Sequence, residues 1–311
     1  MRIASRTFPN LVSQQLNNIA VRQSRLQEQV STGQRLRYPS DDPAAVHRVM
    51  NLEVESARLG QYRQNIGTLK ETANASYAAL KSLKQIFNRA SEIAVAADDL
   101  ESPEQLRTYG TEVTQLLKQT VQVLNSQSRG AYLFAGTAND QAPFVMATDT
   151  DGRVTAVAYR GNSEIAATEI AEDSLLAVQI PGANPAGTGP RGLASDSRVG
   201  ADLFDHLISL QDHLNTSNRE AIADGDRIAL DADEENILYH IGTNGALQSR
   251  LDAADKLATN RMDGAENLIS QEADADMADS MVRLNETQVA YEAALQSAAT
   301  ILRLSLLDYI H

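Results

Sequence analysis

The strongest constraint on this chain is a seven-residue apolar rhythm that recurs at both of its ends. Near the N-terminus Val12, Leu16, Ile19, Gln23, Leu26 and Val30 follow a 4-3 spacing. That spacing sets them in one stripe along a helix, the a/d seam of a coiled coil. Near the C-terminus Met277, Met281, Leu284, Gln288, Tyr291, Leu295, Ala298, Leu302, Ser305 and Tyr309 keep the same rhythm, with Leu306 beside it. Residues 1–38 hold six Arg against one Glu, a balance of +5, and residues 271–311 hold two Arg against seven acids, a balance of −5. Two helices complementary in charge are predicted to pair with each other or with copies of themselves. Gln23, Gln288, Ala298 and Ser305 weaken both seams, so the helices are expected to complete themselves against neighbouring subunits.

Between the ends the periodicity predicts more long helices. The first helix runs from about residue 5 to Thr32, with Gly33 as its C′ residue. Asp42 and Pro43 then suit the cap and first position of a second helix. Leu52, Leu59, Ile66, Ala73, Leu80, Phe87 and Ala94 recur every seven residues, with Tyr62, Leu69, Ser76, Leu83, Ala90 and Ala97 on the companion track. This is a helix of roughly 55 residues, about 80 Å long at about 1.5 Å per residue. Asp98–Glu101 reads as a turn, and Ser102-Pro103-Glu104-Gln105 as a capping box. The third seam, through Leu106, Val113 and Thr120, is predicted to end at Arg129-Gly130.

After Gly130 the pattern turns to short β-like runs, Arg153–Tyr159 and Leu175–Ile180, with turns at Asp151-Gly152, Gly161-Asn162 and Pro181-Gly182. Helical rhythm returns over Asp202–Leu214 and from about Arg227 to Ser270, with Asn244-Gly245 as a point where that helix could bend. Acidic residues 272–276 precede the last helix, where negative charge favours a helix start. The fold class is mainly α: a nested long-helix bundle built from both halves of the chain, with a small β-rich insertion. The expected division is 1–40 with 275–311 as a terminal coiled-coil domain, 41–136 with 201–274 as a long-helix domain, and 137–200 as the insertion.

Composition removes several function classes. A net charge of −14 without a basic patch argues against nucleic acid. With no Cys in 311 residues, disulfides, thiol catalysis and Cys-bound metals are excluded. No apolar run near the N-terminus makes a cleaved signal peptide, and none elsewhere reaches the ~20 residues a membrane span needs. His206 and His213 lie seven apart, where zinc helices need i, i+4 pairs. Gly187-Thr188-Gly189-Pro190-Arg191-Gly192 spells a dinucleotide fingerprint, but Pro190 removes an amide and no helix follows. Asp149-Thr150-Asp151-Gly152 and Asp231–Glu235 lack the remaining ligands of a calcium loop. No enzyme chemistry, metal or cofactor is expected.

The arrangement resembles the flagellin superfamily, and within it the branch found at the hook–filament junction. The resemblance rests on Met1–Ser5, on Gln29–Leu36 followed by Pro39-Ser40-Asp41-Asp42-Pro43, on Tyr132–Thr137 with Pro143-Phe144, and on Ser305–Tyr309. It implies a structural protein exported unfolded by the flagellar type III apparatus and located outside the cell. It also implies assembly as a ring of copies between a hook-side junction protein and filament flagellin, and a cytoplasmic chaperone on the C-terminal helix. On this reading Val12, Leu16, Ile19, Leu26, Val30, Leu284, Tyr291, Leu295, Leu302 and Leu306 form the assembly interface. The alternatives are a short filament flagellin and a cytoplasmic helical scaffold or signalling protein.

Overall fold

A computed structural model describes the backbone of residues 4–97 and 102–310, and the side chains of residues 10–97 and 102–300. The chain is 67% helical and divides into two compact units. The first comprises residues 1–58 and 260–311, the second residues 59–259.

In the first unit α1 (Ala4–Thr32) packs along α7 (Met277–Ile310). Helix α1 stops because Gly33 turns to φ +73° and its amide donates to Gln29 O at 2.8 Å, the left-handed helix stop that glycine allows at least cost. Residues 43–58 of α2 (Pro43–Ala96) and 260–273 of α6 (Arg227–Ala273) complete this unit. Helix α2 starts as its sequence predicts: Asp42 accepts from the Ala45 amide at 3.0 Å, and Pro43 is the first helical residue. At α7, the Asp276 carboxylate accepts from the Ala278 and Asp279 amides at 2.9 and 3.1 Å.

In the second unit the heptad of α2 is closed. Leu59, Tyr62, Ile66, Leu69, Ala73, Ser76, Leu80, Leu83, Phe87, Ala90, Ala94 and Ala97 are all buried. Gly60 and Gly67 sit on the open side and do not interrupt it. Helix α3 (Pro103–Leu124) has its capping box, with Ser102 Oγ accepting from the Gln105 amide and Gln105 Oε1 from the Ser102 amide. The expected turn Asp98–Glu101 lies outside the described residues.

Helix α3 stops at Leu124, short of the predicted Arg129-Gly130. The Asn125 side chain there takes both backbone groups of Phe144, donating to its O at 2.8 Å and accepting from its N at 3.0 Å. Arg129 and Gly130, both at positive φ, instead turn a hairpin of β1 (Gln127–Ser128) and β2 (Ala131–Tyr132). A second hairpin pairs β3 (Phe144–Thr148) with β4 (Val154–Tyr159), and a third pairs β5 (Thr168–Ala171) with β6 (Ser174–Leu176). Strands β7 (Ala183–Asn184), β8 (Ser195–Asp196) and β9 (Ala201–Asp202) form a small mixed sheet. Helix α4 (Leu203–Thr216), the turn α5 (Arg219–Ala221) and a π-helical turn (Ile222–Asp226) lead into α6. The main core joins α2, α3, α4, α6 and the hairpins through Leu80, Phe87, Leu117, Phe134, Leu207 and Ile237.

Candidate assembly surfaces

The α1–α7 pair is where seam prediction meets geometry. On α1, Val12, Leu16, Ile19, Gln23 and Val30 are half-buried and Leu26 is buried, while Leu11 and Val21 face out, 50% and 63% exposed. On α7 the less exposed face is Ser280, Leu284, Thr287, Tyr291, Ala294 and Ala298, again in 4-3 spacing, with Gln288 half-buried beside them. This differs from the predicted stripe. Leu284, Gln288, Tyr291 and Ala298 belong to both, but Met277, Met281 and Leu295 stand 38%, 54% and 43% exposed. Hydrophobic counting selects the larger side chains, whereas the helix buries small and hydroxyl-bearing ones, which permit closer approach. Thr287 meets its own polarity by donating to Arg283 O. With Val282 and Val289, also exposed, those residues leave α7 an uncovered apolar flank. Leu302 and Leu306 lie on the last turns of α7, and their side chains are outside the described residues.

The segment from Pro39 to Pro43 divides its two acids between two tasks. Tyr38 to Asp41 is a tight turn, with the Asp41 amide donating to Tyr38 O at 2.9 Å and Pro39 at the position where its fixed φ fits. The Asp41 carboxylate accepts from the Tyr38 and Arg37 amides and pairs with Arg25 of α1 at 2.8 Å. Those donors hold its pKa below the ordinary carboxylate value. Asp42 caps α2. Ser40 and the two prolines carry no side-chain bond among the described residues. Beside the turn, Arg25, Glu28, Arg35, Arg37 and Asp41 help line a cavity of about 160 Å³. Arg37 pairs with Glu28, and Arg25 with Asp41, so the arginines are already neutralised.

The stretch just before that segment, residues 33–36, is fastened to the α6–α7 turn. Arg35 N donates to Ala273 O at 2.7 Å, and Ala275 N to Gly33 O at 2.8 Å. Glu272 accepts from Arg48 through both oxygens, at 2.9 and 3.0 Å, with Arg35 at 3.6 Å. The Arg48 bond, then the charges of Arg48 and Arg35, lowers the Glu272 pKa.

In the second unit His206 and His213 are half-buried on α4, and each meets an acid. His206 Nδ1 lies 2.8 Å from Asp233, and His213 Nδ1 lies 2.7 Å from Asp226, which also accepts from Ser209. Spacings of seven on both strands of contact make two matched rungs, which the sequence hides because the acids sit in different elements. Burial pushes Asp233 up to about 6, a shift reduced by His206, and the Asp233 bond raises His206, helped by Asp202 and Asp205. The signs agree. A raised His contributes stability below its unfolded value near 6.5, lost as pH climbs through the folded one. A raised Asp likewise favours the folded state less above about 6. The second unit is therefore expected to melt at lower temperature at pH 9 than at pH 6. His206→Gln should flatten that slope in calorimetry; an unchanged slope would remove His206 as its source.

The glycine-rich segment is a closed turn. Asn184 Nδ2 donates to Thr188 O and Pro190 O, and Gly192 lies against β7 and β8. Asp149 turns the β3–β4 hairpin by accepting from the Asp151 and Arg153 amides. Among the described residues no group of three His, Asp or Glu could hold a metal ion, and no helix is long and apolar enough to cross a membrane.

Residues 6–139 match the model of the bacterial flagellin N-terminal helical region. Flagellar hook-associated protein 3 of Salmonella typhimurium is 24% identical over 312 residues, covering 96% of this chain and 95% of that one. A putative flagellar hook-associated protein from Vibrio parahaemolyticus has a similar structure, with a TM-score of 0.64 at 21% identity, over 75% of this chain and 100% of that one. FlgL of Xanthomonas campestris gives 0.56 at 16%, over 69% and 98%. Over residues 6–139 the chain therefore matches the bacterial flagellin N-terminal helical region, and over nearly its whole length it is similar to flagellar hook-associated protein 3 of Salmonella typhimurium.

Proposed function

We propose that this chain is a structural subunit of the bacterial flagellum, polymerising between hook and filament to fit one to the other, and not an enzyme. The observation that carries the reading is the uncovered apolar flank of the α1–α7 pair. Met281, Val282, Val289 and Leu295 on one helix and Leu11 and Val21 on the other are exposed together with complementary terminal charge. Such a flank is a liability in a free subunit and a contact in a polymer. The partners are copies of the chain in a ring, the hook-side junction protein and filament flagellin. A chaperone covers the C-terminal helix before export, and delivery outside the cell proceeds unfolded. The lack of Cys suits a chain threaded in extended form.

The test is complementation of a strain lacking the gene. Deletion should leave hooks without filaments, and the intact gene should restore swimming. Leu295→Asp should fail to restore it while the secreted protein keeps the circular dichroism of the second unit. Normal filaments from Leu295→Asp would reject the interface, and growth of long filaments from the purified chain alone would favour a short flagellin.

A further inference from the structure

Helices α2 and α6 run antiparallel through the second unit, in a register marked by ion pairs. Lys84 faces Glu234 at 3.9 Å, and Lys70 faces Asp252 and Asp255 at 2.7 and 3.3 Å. The apolar filling between them is not continuous. One core contains Leu80, Leu83 and Phe87 of α2 with Leu230 and Ile237 of α6. A second, smaller core contains Ile66, Leu69 and Ala73 with Leu251, roofed by Ile170, Leu176 and Val178 from the β5–β6 region.

What separates them is polar. Ser76 of α2 is completely buried, and its hydroxyl has no partner. Asn244 of α6 is 1% exposed; its Oδ1 accepts from Gln248 at 2.8 Å, but its Nδ2 is unpartnered. One turn earlier on α6 stands His240, buried, with its pKa pushed down to about 4 chiefly by desolvation. Buried polar groups without partners oppose closure of the layer that holds them. Gly242 and Gly245 flank Asn244, with nothing within 4 Å of where a Cβ would be. Packing therefore does not demand glycine at either place, and both lower the local helix propensity.

We infer that the Ser76–Asn244 layer is a joint, at which the smaller core opens as a cooperative unit while the larger core stays closed. The layer acts as a break in side-chain interlocking, so loss of the β5–β6 roof and of the Leu251 contacts need not propagate to Phe87. Helix α6 is unbroken across it, so the joint is one of packing and not of backbone. Nothing in this inference depends on where the subunit sits in a polymer.

Hydrogen exchange on the purified full chain tests it. Amides of 62–73, 168–178 and 247–254 should exchange as one class, on the order of tenfold or more faster than those of 80–97, 106–124 and 203–214. Ser76→Ala with Asn244→Leu should fuse the cores and narrow that gap. Gly242→Ala with Gly245→Ala, which fill open space and should fold, should narrow it in smaller measure. One common rate for both classes in the native chain, or a gap unmoved in the folded Ser76→Ala, Asn244→Leu variant, overturns the joint.

Discussion

Phe87→Ala is expected to cost the second unit about 3–5 kcal/mol. Phe87 is 0% exposed and lies in the core shared by α2, α3, α4 and α6. Removing the ring forfeits its transfer out of water and leaves a cavity that four packed helices cannot collapse into. Domains of this kind are stable by about 5–15 kcal/mol, so the loss is a large share of the total. Denaturant titration followed by circular dichroism measures it, with Leu257→Ala, at an exposed position of the same unit, expected to stay within about 0.5 kcal/mol. A loss below about 1 kcal/mol would mean that this core is looser than its burial indicates.

Gly192→Ala is the second large effect, and it concerns the segment that imitates a nucleotide loop. A Cβ there would lie 2.2 Å from Ser195 O and 2.5 Å from Asn184 N. Both are backbone atoms, so β7 and β8 must part. Gly192 O also accepts from Asn236 Nδ2 at 3.0 Å and lies 3.2 Å from His240 Nε2. Displacing it strands buried groups on α6 as well as opening the sheet. We expect a loss of about 2–3 kcal/mol. A signature specific to this site should accompany it. His240, at about 4 in the intact fold, should titrate closer to 6.5 by NMR as water reaches it. An unmoved His240 would refute the account. Gly189→Ala meets no atom within 4 Å and strains only its own φ of +76°, so its effect should be smaller.

Where one helix face alone decides packing, the residues declare it. The α2 heptad, the α1 stripe, the Ser102 capping box and the Asp42-Pro43 start all follow from local spacing and local hydrogen bonds. The α7 register does not, because Ser280, Thr287 and Ala294 are chosen by how closely α1 approaches. The end of α3 is likewise fixed from a distance, by Asn125 reaching Phe144. Strands β7 to β9 are two residues each and exist only through partners, so no alternation could reveal them. The rungs to Asp226 and Asp233 required the path of the chain between α4 and α6. The acids of the Pro39–Pro43 segment were legible as a motif, while their separate tasks, one to a turn and Arg25, one to a helix cap, needed coordinates.

The fastening of residues 33–35 to 273–275, backed by Arg35 and Arg48 on Glu272, has a mechanical consequence. Tension applied to α1 reaches the start of α7 through a few short bonds, with the bidentate Arg48–Glu272 pair bracing the same turn from α2, without passing along the intervening 240 or so residues of chain. The two termini therefore bear load as a couple. Raising ionic strength would weaken the charged part of that couple and leave its backbone part in place.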